Sequence, residues 1–217
     1  MKVDLFVVSQ INPHDKMKNK PLSDYKKKKL IESFCDELTA TQAAHRLNLD
    51  RNTVNKYFRR IRECIAAYRE YQKMNLMITV INTPDKQIDS VVKNIPSSGS
   101  QDSEFPIRIM CLEGQLLTDI DIQLALNGSK YMMNVSGYFE SAVNGNAHSK
   151  QHGVDCSDLH RIADDFHSFT TSRFKKFFGI KNEYAYLYVK EAEFVFNEKD
   201  SSRREKVLNK MTDQIFV

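Results

Sequence analysis

Six polar side chains, Arg51, Asn52, Asn55, Lys56, Arg59 and Arg62, recur at spacings of one, three and four within residues 51–62. On a helix these spacings gather them on one side, while Val54, Tyr57, Phe58, Ile61, Ile65 and Tyr68 line the other. The polar side has the chemistry of duplex DNA: Arg and Lys suit phosphates and guanine edges, and Asn suits adenine edges. Lys27 and Lys28 belong to a second basic run, Lys26 to Lys29, predicted in the first turn of an earlier helix. The helix dipole disfavours cations there, and nearby phosphates would offset that cost. For both runs the alternative is an ordinary solvated surface.

Other constellations suggest different chemistry. Asp119 and Asp121 alternate on a predicted strand and so share a face, which could hold a divalent metal or simply be an exposed strand edge. His148, His152, Cys156 and His160 fall at intervals of four, a stripe of metal ligands if the segment is helical. Gly153 and Asp155 argue for a polar loop instead. Glu191 and Glu193 are two apart on a predicted helix and cannot point the same way, which makes them a poor acid/base pair. The sequence carries no phosphate-cradling glycine loop and no nucleophile elbow.

The basic face needs elements to position it, and the local signals supply them. Thr39 with Gln42 forms a capping box that starts a helix at Ala40 and buries Ala43, Ala44 and Leu47. Asn48 and Leu49 make a tight turn, and Asp50 caps the following helix. Residues 39–72 therefore read as a helix-turn-helix. Ser23 caps an earlier helix with Leu30, Ile31, Phe34, Cys35 and Leu38 on one face, completing a three-helix unit. The third helix meets no stop signal near Arg62 and is expected to run to about residue 72, linking two domains or pairing with another copy.

Beyond it, residues 77–81 are predicted as a strand. Thr83 and Pro84 open a short helix holding Ile88, Val91 and Val92, and residues 94–106 form a loop. Residues 107–112 and 115–122 read as a hairpin about Glu113 and Gly114, followed by a turn at Asn127 and Gly128. Residues 131–160 carry no clear periodicity. Helices are predicted over 161–178, ended by Gly179, and over 182–196, with Tyr184, Leu187, Tyr188 and Phe194 inward. Ser202 and Glu205 form a capping box for a final helix burying Val207, Leu208 and Met211.

Charge is distributed in the same pattern. The chain of 217 residues has a net charge of +4, yet residues 16–73 hold fifteen Lys and Arg against seven Asp and Glu. A local positive field of this kind is the electrostatic footprint of nucleic-acid binding. Cys35, Cys64, Cys111 and Cys156 are widely spaced, as in a reduced, cytoplasmic protein. No apolar run suits a membrane span or a signal peptide, so no membrane partner is expected.

Residues 166–199 resemble the end of a group of bacterial insertion-sequence DDE transposases with an RNase H-like catalytic domain. Phe166, His167, Ser168, Arg173, Phe177, Gly179 and Ile180 carry the first half of the pattern. Tyr186, Leu187, Lys190, Glu191, Glu193, Phe194, Phe196 and Asn197 carry the second. The hairpin over 107–122 is similar to the second and third strands of that domain, and residues 30–62 are similar to its N-terminal DNA-binding unit. The resemblance implies an α+β chain in four parts. These are an N-terminal strand or arm (1–20), a three-helix helix-turn-helix domain (21–73), a shortened RNase H-like α/β body (76–200) and a C-terminal helix (201–217).

Catalysis in that group uses acidic residues to hold two divalent metals. Here residues 74–106 lack the acidic strand of the first motif, and little chain remains for the second between the hairpin and Tyr131. The third motif, Asn-x-Ile-Glu, falls on Arg161, Ile162, Ala163 and Asp164. The expectation is a transposase-derived, sequence-specific DNA-binding protein, a transcriptional regulator or DNA-bound scaffold without strand transfer and without a cofactor. Its partners would be double-stranded DNA and a second copy or another protein. The alternative is a compact transposase or metal-dependent nuclease using Asp119, Asp121 and Asp164 with Mg²⁺.

Overall fold

The computed structural model describes residues 22–81, 88–96, 104–112, 114–120, 156–177, 180 and 182–216. These residues form an α+β chain that divides into two compact units. One is drawn from Met1–Tyr71 and Glu198–Val217, the other from Gln72–Asn197. The possible arm over 1–20 lies outside the described residues.

In the first unit each helix starts where a side chain can take up free amides. Ser23 caps α1 (Asp24–Cys35), which buries Leu30, Ile31, Phe34 and Cys35. Thr39 and Gln42 cap α2 (Ala40–Leu47) reciprocally: the Thr39 amide donates to Gln42 Oε1 at 2.9 Å and the Gln42 amide to Thr39 Oγ1 at 3.3 Å. Asn48 ends α2 in the left-handed region at φ +47°, and the Leu49 amide reaches back to the Ala44 carbonyl at 3.1 Å. Asp50 Oδ1 then accepts from the amides of Asn52 (2.8 Å) and Thr53 (3.2 Å), starting α3 (Arg51–Ile81). Val54, Tyr57, Phe58, Ile61 and Ile65 are buried, with Phe58 edge-on to Phe34 at 5.2 Å.

The same unit includes α6 (Ser201–Asn209), packed on α1, and the short α7 (Thr212–Ile215). Leu208 and Ile215 are fully buried, and the Phe216 ring lies 5.0 Å from that of Tyr57. The cap of α6 is Asp200, which accepts from the Ser202 amide at 2.9 Å, in place of the predicted Ser202–Glu205 box. An ionised carboxylate two residues ahead is the stronger acceptor.

The second unit centres on an antiparallel sheet of β1 (Ser90–Pro96), β2 (Glu104–Leu112) and β3 (Gln115–Ile120), in that order. Alternation gives it two apolar faces. Ile95, Ile107, Ile109 and Leu116 pack against α4 (Cys156–Lys176) and α5 (Asn182–Asn197), meeting Ala163, Phe166, Phe174, Val189 and Ala192. Met110, Leu112 and Leu117 on the other face meet Met77, with Leu76 and Ile88 beside it.

Four predicted elements differ. Residues 77–81 are the end of α3, because Met77 gains more by packing on the sheet than the β-branched run gains as a strand. Val91 and Val92 belong to β1, and the ends of the predicted 94–106 loop pair with each other, Asn94 with Pro106 and Pro96 with Glu104. The helix predicted from 161 starts at Cys156. The hairpin follows prediction, with Gly114 at φ +72°, while the segment opening at Thr83 and the turn at Asn127 lie outside the described residues.

Candidate nucleic-acid interface

The first turns of α3 divide their side chains as the spacing requires. Arg51, Asn52 and Asn55 are exposed, Lys56 is half-buried, and Val54, Tyr57 and Phe58 between them face the core. Arg59 is exposed and bonds Glu63 one turn on, Nε to Oε1, at 3.1 Å. Arg62 leaves this set: it is 7% exposed, with its guanidinium 5.5 Å from the centre of the Phe34 ring. Its spacing fits the polar face, but at that turn its side chain packs against α1 rather than facing outward with the others.

On α1, Lys28 is exposed, and Lys27 is half-buried beside Asp24 Oδ1 (3.0 Å) and 5.8 Å from the Phe216 ring centre. A further cation escaped the sequence reading. Arg46, near the end of α2, bonds Asp36 at 2.8 Å and lies 3.5 Å from Glu32. Its hydrogen bond to Asp36 raises its pKa, as the Glu32 hydrogen bond raises that of Lys29. The outward surface of α1–α3 thus combines exposed Arg and Asn groups with cations held in local ion pairs.

The carboxylates proposed for metal chemistry are placed apart. Asp119, on the α3 side of the sheet, lies 3.7 Å from Lys73 Nζ. Asp164 is on α4, across the opposite face, with Lys93 Nζ of β1 at 2.6 Å. That hydrogen bond and charge hold the Asp164 carboxyl below its ordinary value. Two carboxylates on opposite faces cannot share a metal pair, and each already has an ammonium partner. Asp121, His148 and His152 lie outside the described residues, as do the surroundings of Cys156. Among the described residues no three His, Cys, Asp or Glu groups converge as a metal site would require.

Glu191 and Glu193 are both buried and point to different partners. Glu191 binds Arg173 at 2.8 Å. Glu193 accepts from Lys190 Nζ (3.0 Å), from the Thr118 amide (3.1 Å) and from the Thr118 hydroxyl. Lys190 also donates to the Thr118 carbonyl at 2.7 Å. One turn on, the Asn197 side chain accepts from the Leu116 amide (2.9 Å) and donates to the Leu116 carbonyl (2.8 Å). Lys190, Glu193 and Asn197 therefore do for part of β3 what a fourth strand would do, taking up the outward amides and carbonyls of Leu116 and Thr118. These residues tie α5 to the sheet.

No helix among the described residues is long and apolar enough to cross a membrane. The chain matches no family model, no curated protein and no solved structure with which it was compared.

Proposed function

We propose that the chain is a transposase-derived, sequence-specific DNA-binding protein, acting as a regulator or DNA-bound scaffold through a helix-turn-helix formed by α2 and α3. The observation that carries this reading is the start of α3. Left-handed Asn48 and the Asp50 cap launch the helix so that Arg51, Asn52 and Asn55 face solvent while Val54, Tyr57 and Phe58 fill the core. A recognition helix needs that division, with its N-terminal residues free to enter the major groove. The local excess of Lys and Arg supports it with a sequence-independent pull on phosphates. The β1–β2–β3 sheet with α4 and α5 is the shortened RNase H-like body of this reading, and it supplies partner contacts or dimerisation. The ion pairs at Asp119 and Asp164 favour it over the metal-dependent nuclease.

Selection from a randomised duplex pool, followed by binding titrations against salt, tests the proposal. A recovered sequence is expected, palindromic if the protein binds as a dimer. Arg51→Ala and Asn55→Ala should each weaken its binding by about 1–3 kcal/mol if they touch base edges. Titrations that stay flat at low salt would sink the reading, and plasmid nicking with Mg²⁺ that is lost in Asp164→Ala would replace it with the nuclease.

A further inference from the structure

The α1–α2 corner is an unusual junction. Glu37, between the two helices, is a non-glycine residue at φ +57°, a conformation that costs of order 1 kcal/mol or more and persists only where its surroundings impose it. Part of what imposes it comes from the far end of the sequence. Arg204, on α6 and 6% exposed, donates from Nη2 to the Cys35 carbonyl at 2.7 Å, and the same nitrogen lies 3.5 Å from Glu37 Oε1. Its Nη1 donates to the carbonyls of Glu198 (3.1 Å) and Lys199 (3.2 Å). One planar guanidinium thus joins the last turn of α1, the left-handed corner residue and the segment leading into α6. A lysine has no rigid fork and could not hold all these acceptors at once.

The corner sets where α2 begins. Thr39, two residues after Glu37, caps α2, and only Asn48, Leu49 and Asp50 separate α2 from α3. A rotation at Glu37 would therefore carry both helices with it.

We propose that Arg204 is a positioning residue for DNA recognition: by fixing the α1–α2 corner it sets the orientation in which α2 and α3 meet the duplex, without touching DNA itself. The inference rests on the DNA-binding reading above. It makes residues 198–216 part of the recognition apparatus although they lie far from the basic face in sequence.

The test measures, for the full chain, affinity for the best duplex from a randomised selection and for a scrambled duplex of equal length. Wild type, Arg204→Lys and Arg204→Met are compared at a temperature where circular dichroism shows each folded. A residue that only stabilised the fold would lower the folded fraction and reduce both affinities equally, leaving their ratio unchanged. A positioning residue lowers the ratio, by about tenfold in Arg204→Met and by less in Arg204→Lys. If Arg204→Met does not fold, Glu37→Gln keeps the guanidinium and removes the negative charge facing it, with a fall of about threefold expected. An unchanged ratio in every folded variant overturns this proposal and leaves the DNA-binding reading standing. Wild type that binds neither duplex overturns both.

Discussion

Lys190 and Glu193 are fully buried one turn apart on α5, and each also holds a backbone group of Thr118. Removing one member of such a pair leaves an uncompensated charge in the interior, so Lys190→Met should cost about 3–5 kcal/mol in urea unfolding. Replacing both with apolar residues should recover only part of the loss, because the Thr118 amide and carbonyl then lack partners, at about 1–3 kcal/mol each. In the sequence these residues are visible as types in a resemblance but not as a network, because helical periodicity alone assigns charged residues to the solvent side. Their role appears only once β3 is placed beside α5. The buried cysteines make a second prediction at this scale. Burial pushes the thiols of Cys35 and Cys64 up to about 12. Iodoacetamide at pH 8 should leave both unmodified until the chain unfolds. A raised folded pKa contributes stability that is complete below the unfolded value, here 9.0, and is lost as pH rises through the folded one. Melting temperature should therefore decline as pH rises from 9 toward 12.

Among the elements, α2 and the start of α3 depend on side chains within a few residues of each helix end, which is why both were legible. Asp50→Ala removes the acceptor for two amides and should destabilise the chain by about 1 kcal/mol in chemical denaturation. The illegible elements are those decided at a distance. Met77 remains helical because it packs on Met110 and its neighbours, and Val91 and Val92 become strand because β2 offers them a ladder. Their β-branched and apolar composition suits either state, so tertiary contacts choose. The spacing predicts the exposure of Arg51, Asn52, Asn55 and Arg59 but not the burial of Arg62, whose position against Phe34 depends on α1. Arg204 was not singled out at all, since its acceptors are carbonyls and a carboxylate of segments distant in sequence.

At the scale of the molecule, the first unit is discontinuous: α1, α2 and most of α3 share it with α6 and α7, while the residues between form the other. A chain shortened to end at Asn197 would lose Leu208, Ile215 and Arg204 together. Hydrogen exchange should then show the amides of α1, α2 and the part of α3 up to residue 71 unprotected, while β1–β3, α4 and α5 keep their protection. Discontinuity also has a consequence in time. A ribosome adding about 5–20 residues per second takes roughly six to twenty-five seconds to make Gln72–Asn197, and throughout that interval α1–α3 lack the helices that complete their unit. The sheet unit can be finished first although its residues come later. A message cut short anywhere before residue 198 yields no completed first unit, so under the DNA-binding proposal such abortive products would not compete for DNA.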